Sequence, residues 1–360
     1  MHTRPLLVAA WLAAALGVAA AGGNRAELTF GYPVVPASGA IALDGKLTDA
    51  EWGAAIKVSG FTVSGRKGLA FDQTVMRLVY DTSHLYLAVK CSESQMARLV
   101  VEHFGTDEAI WRDDCIEFFL DPTHSHEDFY QFIVNPAGAR YDAFGKDRGW
   151  GCDWKVAIVK TKDAWHVEAA VPFKGLKVKP PRPGTVWGFN LARERMAGGG
   201  RQLYNWADVQ GDFLTPSLFG HLWFVGKGWM PSAKSIATAA RRIEGAEAHI
   251  FTQGGYWAAK KGEAPKAWTY PELLRAKQCQ LKSTYLGELR RIYGANPTLP
   301  LRDQFEEIDG RYRAVEKLTT TGGLADAEAC AAAMGFIEGV EGKLATLYWK
   351  ARVELLNREF

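Results

Sequence analysis

The sequence lacks a strong charge of either sign and lacks the residue spacings of a zinc-binding module. Its 43 Lys and Arg nearly balance its 40 Asp and Glu, and a net charge of +3 is too small to favour nucleic acid or an anionic membrane as a partner. Five Cys and eight His are present, but no CxxC or Cys/His pair has zinc-site spacing. The sequence therefore gives no reason to expect a nucleic-acid or zinc protein.

Long apolar runs are also missing, apart from one at the N-terminus. Residues 6–21 are rich in Ala and Leu, follow the weakly positive start His2 and Arg4, and end in small residues. The run is shorter than the roughly 20 residues that span a bilayer. We therefore predict that residues 1–22 are a cleaved signal peptide and that the protein is secreted or periplasmic with no membrane span. An uncleaved anchor is the alternative.

Alternation of strands with helices is a third absence, and it excludes the (β/α)₈ barrel that many glycosidases use. Between about residues 38 and 228 the pattern is that of short strands, with apolar and polar residues alternating and turn residues between them. The predicted strands are 75–80, 85–90, 116–120, 129–135, 156–161, 165–171, 186–193 and 221–225. This pattern predicts an antiparallel β-sandwich of the jelly-roll or immunoglobulin type.

From residue 232 to residue 360 the pattern becomes helical. Leu301, Phe305, Ile308, Tyr312 and Val315 follow steps of four and three, and a similar series begins at Ile337. The pattern predicts a small helical bundle or a coiled-coil hairpin. It contains no catalytic motif, so we expect a spacer, an oligomerisation element or a docking site for a protein partner.

Tryptophan is abundant, with 13 in the chain, and Trp111 stands out among them. It precedes the strand that holds Asp114 and Glu117. A flat indole stacks on the apolar C–H face of a sugar ring, and carboxylates accept hydrogen bonds from its hydroxyls. Asp113 and Asp114 are adjacent and diverge on a strand, so the segment does not provide the paired carboxylates of a glycosidase.

The β region resembles the family 9 carbohydrate-binding module. The pieces that carry the resemblance are residues 41–52 (IALDGKLTDAEW), 79–89 (VYDTSHLYLAV), 114–122 (DCIEFFLDP), 132–138 (FIVNPAG), 165–173 (WHVEAAVPF), 187–193 (WGFNLAR) and 219–222 (FGHL). Each piece alone is weak, but together they occur in the order of the family. The resemblance implies a β-sandwich that binds a mono- or oligosaccharide and breaks no bond.

The resemblance also implies which residues hold the sugar. Well-studied members clamp a terminal sugar between two tryptophans, and here Trp111 matches the first position while Glu117 matches a polar contact. Trp206 is the candidate for the second clamp, and Arg193 is expected to bind hydroxyls or to hold Glu117. The remaining expected contacts are Asn190, Asp114 and Tyr204. Some members bind structural calcium through loop carboxylates, but no residues here can be matched to such a site.

Three alternatives stay open at this stage. The chain could be a glycoside hydrolase, in which case a change at Glu117 would abolish hydrolysis. Some related sandwiches bind haem, and Met76 or Met96 with His84 or His103 could supply axial ligands. The helical region could instead be the functional part, acting in assembly.

Overall fold

Strands dominate the first two thirds of this structure, a computed structural model. It describes residues 28–47, 49–64, 68–207, 209, 212–243, 245–320 and 326–359. The predicted signal peptide lies outside the described residues. The strands are β1 Leu28–Pro36, β2 Thr62–Val63, β3 Thr74–Tyr80, β4 His84–Ser92, β5 Cys115–Asp121, β6 Tyr130–Val134, β7 Arg140–Phe144, β8 Lys155–Lys160, β9 Ala164–Pro172, β10 Val186–Arg195, β11 Gln202–Asn205, β12 Gly220–Phe224, β13 Glu247–Thr252, β14 Gly255–Lys260 and β15 Lys266–Thr269.

The strands form one curled path in the order β7-β6-β5-β10-β12-β1-β3-β4-β9-β8. Strand β1 joins the two parts of this path, because its middle residues, Gly31 to Val34, pair with β12 and its last residues, Val35 and Pro36, pair with β3. Both parts contribute side chains to one hydrophobic core, such as Phe118 of β5 and Leu87 of β4. The prediction of a mainly β sandwich is confirmed.

The predicted antiparallel direction of the strands is wrong for the pairings of β1. The pairings of β1 with β12, β13 and β3 are parallel, whereas the other pairings between the described strands are antiparallel. Alternation of apolar and polar residues identifies a strand and its faces but not the direction of its neighbours. The sheet is therefore mixed, with the parallel pairings confined to β1.

Every residue of β5 is buried, and the reason differs between its two faces. Ile116, Phe118 and Leu120 point into the main core. Cys115 and Phe119 point to the outer face, where two smaller apolar clusters cover them. Glu117 lies between these clusters on the same outer face, because strand side chains alternate with a period of two. A carboxyl is thereby placed at the bottom of a depression in an apolar surface.

Helices follow the sandwich, but strands interrupt the region that the sequence pattern predicts to be helical. The helices are α1 Asp49–Trp52, α2 Ala233–Ala240, α3 Tyr270–Leu281, α4 Gly287–Ala295, α5 Arg302–Thr320 and α6 Ala327–Glu359. Strands β13, β14 and β15 lie between α2 and α3, and β13 pairs with β1 in the main sheet. The prediction of helix is therefore wrong for residues 247–269. The predicted division of the chain near residue 230 stays a prediction.

A tight hairpin accounts for these added strands. Thr252 pairs with Gly255, which leaves a two-residue loop between β13 and β14. A Cβ at Gly255 would stand 1.8 Å from the carbonyl oxygen of Trp268, so only glycine fits there. Beyond β15, Thr269 and Glu272 form a capping box that starts α3. The helical prediction is confirmed from this point onward.

Helix α6 is the longest element, and it packs against α3, α4 and α5. Its outer side carries three exposed apolar side chains at steps of four and three, Trp349, Val353 and Leu356. Among the described residues, no helix combines the length and the apolarity needed to cross a membrane. All five cysteines lie in the described part of the chain, and each is a free thiol. A partner for the helices stays a prediction.

Candidate functional site

A cavity of about 510 Å³ opens on the outer face of the sheet, between the two apolar clusters that flank Glu117. Its volume lies in the range of small-molecule pockets, roughly 300–1,000 Å³. Side chains from β5, β6, β7, β10 and β11 line it, together with residues of four connecting segments. Two of the residues that sequence analysis singles out, Trp111 and Glu117, are among them.

Trp111 forms one wall of the cavity. It lies in the single turn of 3₁₀-helix Ile110–Arg112, which is anchored by the fully buried Ile110. The Trp111 indole is half-buried and meets the ring of Tyr141 edge to face, with 5.4 Å between the centroids. Such a contact fixes the plane of the indole and adds about 0.5–1.5 kcal/mol.

The turn that carries Trp111 is also held by a buried carboxylate. Asp113 accepts hydrogen bonds from the Nδ2 of Asn135 at 2.8 Å and from the backbone N–H of His103 at 3.1 Å. Its other oxygen lies 2.9 Å from the Nδ1 of His103. These bonds hold the pKa of Asp113 below its ordinary value despite its burial. Asp113 therefore acts as a positioning group for the wall.

The floor of the cavity is a pair of carboxyl groups from neighbouring strands. Glu117 of β5 lies opposite Ala192 of β10, and Glu194 lies two residues further along β10 on the same face. The Nε2 of Gln131 donates to Glu117 at 2.9 Å. The guanidinium of Arg201 donates two hydrogen bonds to Glu194, both 2.7 Å long. This bidentate pairing neutralises the charge of Glu194.

Burial and the neighbouring carboxyl leave Glu117 protonated near neutral pH. Burial is the larger cause, and the charge of Glu194 is the next; together they raise the pKa of Glu117 to about 8. The protonated group donates a hydrogen bond to Glu194. The floor thus offers the remaining N–H groups of Gln131 and Arg201 as donors and the carboxyl oxygens as acceptors, which is what recognition of vicinal hydroxyls requires.

The wall opposite Trp111 contains no tryptophan among the described residues. Leu203, Phe213 and Leu214 provide its apolar surface, with Leu214 about half exposed. Lys146 and Arg148 lie at the rim, in the segment that follows β7, and Asp212 lies at the rim beside Leu214. The described part of the cavity therefore has one aromatic platform rather than two.

Trp206, the predicted second clamp residue, lies in the core and not in the cavity. Only 2% of its surface is exposed. Its ring packs against Phe30, Phe189 and Phe251, with centroids 5.6 to 6.0 Å away. Alternation along the chain points Trp206 to the inner face, so no side of the indole is open to a ligand. The prediction of a clamp at Trp206 is not supported.

Arg193 also points to the inner face, opposite to the face that holds Glu117. Its guanidinium is fully buried and donates to the Oε2 of Glu93 at 2.9 Å and to the backbone carbonyl of Ser92 at 2.8 Å. Arg195 binds both oxygens of the same Glu93. Arg193 therefore links the two layers of the sandwich and does not hold Glu117 or a sugar.

The other three predicted contacts are buried in structural roles. Tyr204 lies under the guanidinium of Arg193 on the inner face. The side-chain oxygen of Asn190 accepts from the backbone N–H of Ala207 at 3.1 Å. Asp114 accepts from the backbone N–H groups of Val100 and Met196, at 2.8 and 3.0 Å. None of the three lines the cavity.

Most residues that line the cavity were not singled out by sequence analysis, and four of them form its polar floor and the contact to Trp111: Gln131, Tyr141, Glu194 and Arg201. Glu194 gave a usable signal, because it lies between Arg193 and Arg195 on a strand and so must face away from both. The other three depend on which strands pair and in which register. That information is not contained in the local sequence pattern.

The structure offers little for a metal or a haem. Within the described ranges, no group of three or more His, Cys, Asp or Glu side chains is arranged to hold a metal ion. Met76, a candidate haem ligand, is fully buried in β3. His103, another candidate, is engaged by Asp113. The calcium ion that the resemblance implies stays a prediction without assigned residues.

Three solved structures of carbohydrate-binding proteins are similar to part of this chain. A carbohydrate-binding module family 9 structure from Caldicellulosiruptor kristjanssonii, solved with cellotriose, is 20% identical, with a TM-score of 0.44 over 56% of this chain and 98% of the other. The glucose complex of a family 9 module from the same organism is 19% identical, with a TM-score of 0.44 over 56% of this chain and 99% of the other. A crystal structure of a putative carbohydrate-binding protein from Bacteroides uniformis is 17% identical, with a TM-score of 0.44 over 54% of this chain and 99% of the other.

No curated protein sequence matches the chain. The model of one protein family, carbohydrate family 9 binding domain-like, matches residues 43–227, which is slightly more than half of the chain. The matched residues run from the segment before α1 to the end of the sandwich, and they include both Trp111 and Glu117. The protein belongs to the carbohydrate family 9 binding domain-like family.

Proposed function

We propose that the protein is an exported, non-catalytic carbohydrate-binding protein that holds a saccharide in the cavity beside Trp111. One observation carries this proposal: a fixed, half-buried indole stands beside a floor of hydrogen-bonding groups within a single cavity. The indole supplies the stacking surface, and Glu117, Gln131 and Glu194 supply polar contacts. A platform on one side only supports modest affinity, because aromatic stacking adds about 1 kcal/mol.

The state of the two carboxyls supports binding over hydrolysis. Most glycosidases pair a protonated acid with a second carboxylate that is free to act as a nucleophile or as a base. Glu117 holds its proton near neutral pH, since burial and the charge of Glu194 raise its pKa. Glu194 is also neutralised by Arg201 and is not free to act as a nucleophile. We therefore favour a site that recognises hydroxyls.

The test is calorimetric titration of the mature protein with glucose, cellotriose and a panel of other mono- and oligosaccharides. Trp111→Ala should weaken the binding of any sugar that the protein binds by at least about fivefold, which corresponds to the loss of about 1 kcal/mol of stacking. Trp229→Ala is the matched control, since Trp229 is also half-buried but packs on Trp223 in a separate cluster. Unchanged affinity in the Trp111 variant, or no binding of any sugar by the folded protein, would contradict the proposal.

A hydrolase assay with the same sugars distinguishes a binding protein from a glycosidase. We expect no products from the wild type beyond the buffer control. Hydrolysis that disappears in Glu117→Gln would replace the binding proposal with a glycosidase. Export is tested independently, by locating the protein after cell fractionation and determining its N-terminus, which we expect to follow residue 22.

A further inference from the structure

The charged groups of the cavity divide into a neutral floor and an uncompensated rim. On the floor, Arg201 donates two hydrogen bonds to the buried Glu194, so that pair carries no net charge. Glu117 next to it holds its proton near neutral pH, because burial raises its pKa to about 8. The floor therefore contributes hydrogen-bond donors and acceptors but no net charge.

Two cations at the rim have no counter-ion among the described residues. Lys146 and Arg148 are exposed and line the cavity. Within the described ranges, neither side chain forms an ion pair or a hydrogen bond. The single acidic residue described at the rim, Asp212, accepts a hydrogen bond from the backbone of Leu214. The described part of the rim thus carries two positive charges against one negative charge.

Arg148 lies next to the Trp111 indole. Its guanidinium carbon lies 5.7 Å from the centroid of the Trp111 ring, within the range of a cation–π contact. The planar N–H fork of a guanidinium matches a carboxylate or a sulfate in a bidentate manner. A neutral sugar needs no such group at this position.

We propose that the saccharide of this cavity is acidic, that is, a sugar bearing a carboxylate or a sulfate, and that Arg148 and Lys146 bind its anionic group. This inference rests on the proposed function, since it names the ligand class of the same site. The ring stacks on Trp111 and the hydroxyls meet the neutral floor. The anionic substituent points to the rim, where it finds the two unpaired cations.

The test compares the dissociation constants of glucose, glucuronate and glucose 6-sulfate in calorimetric titrations at low salt. We expect glucuronate, glucose 6-sulfate or both to bind at least about tenfold more tightly than glucose, which corresponds to about 1.4 kcal/mol. The acidic sugar that shows the preference identifies the anionic group. The preference should shrink as NaCl is raised from 0.05 to 0.5 M, because salt screens an exposed ion pair.

Two variants test whether Arg148 at the rim causes the preference for acidic sugars. Arg148→Gln should bring the ratio of the glucose and acidic-sugar dissociation constants close to one, whereas Arg148→Lys should retain part of it. Arg311→Gln is the matched control, because Arg311 also lies over an aromatic ring, that of Phe336, but in the helical region. The control should keep the full ratio.

The outcomes separate this inference from the proposed function. Binding of glucose as tight as binding of both acidic sugars would overturn the inference and leave the proposed function intact. A preference that persists unchanged in Arg148→Gln and in Lys146→Gln would overturn it as well. Absence of binding to sugars of either class would overturn the proposed function and this inference with it.

Discussion

Replacement of Glu117 by glutamine should remove a large part of the pH dependence of stability. Glutamine keeps the shape of the protonated acid, and its N–H₂ group can donate to Glu194 as the acid O–H does. It cannot ionise, however. The folded wild type carries a proton on Glu117 up to about pH 8, whereas the same group ionises near its ordinary value of 4.5 in the unfolded chain.

The sign and size of the effect follow from proton linkage. Because the pKa of Glu117 is raised in the folded state, its contribution is fully present below about pH 4.5 and is lost as the pH rises to about 8. Each pKa unit is worth about 1.4 kcal/mol, so the loss is on the order of 5 kcal/mol. The variant should not show this loss, and it should be more stable than the wild type at pH 8.5.

Denaturant unfolding at pH 5 and at pH 8.5 measures the difference. The quantity of interest is the change in unfolding free energy between the two pH values, compared between Glu117→Gln and the wild type. Glu307→Gln is the control, since Glu307 is exposed on α5 and should leave the pH dependence unchanged. Parallel pH profiles for the wild type and Glu117→Gln would refute the reasoning about a buried, protonated Glu117.

Three further substitutions test the structural roles described above, each by denaturant unfolding. Trp206→Ala should lower the unfolding free energy by about 3–5 kcal/mol, because it removes a large ring from the core; a loss below about 1 kcal/mol would place the ring at the surface. Arg193→Met should cost about 3–5 kcal/mol by breaking a buried ion pair, and an equally stable variant would contradict its place between the layers. Tyr32→Phe should cost about 1–3 kcal/mol, since the Tyr32 hydroxyl donates to one backbone carbonyl at 2.6 Å and accepts from the backbone N–H of Leu78 at 2.8 Å; a neutral effect would argue against both bonds.

The local sequence predicted the platform of the site better than its surroundings. Trp111 and Glu117 follow one another within seven residues, and the short turn and strand between them fix both positions locally. The predicted role of Arg193 was wrong because it depends on whether Arg193 lies on the same face of the sheet as Glu117. The register places Ala192 opposite Glu117, so Arg193 must point the other way. A one-residue shift would have reversed the outcome, and nothing near Arg193 specifies it.

The predicted clamp at Trp206 was wrong for a different physical reason. Its immediate neighbours in sequence, a short strand and a loop, are typical of an exposed position. The rings that bury it come from β1 and β13, at Phe30 and Phe251. Contacts between residues so distant in sequence leave no trace in a local pattern. β13 was not predicted because its pairing with β1 also joins residues that are distant in sequence. The short loop before Gly255 was nevertheless a usable signal for the hairpin of β13 and β14.

The position of β1 has a consequence for the order in which the chain can be completed during synthesis. Gly31 pairs with His221 on one side and with Ile250 on the other. This part of β1 must wait for about 190 further residues before its β12 partner exists, and pairing over such separations is slow. Until then the nascent protein has an open sheet. This delay fits the export that we propose, because a chain whose sheet cannot close early can still pass unfolded through a translocation channel.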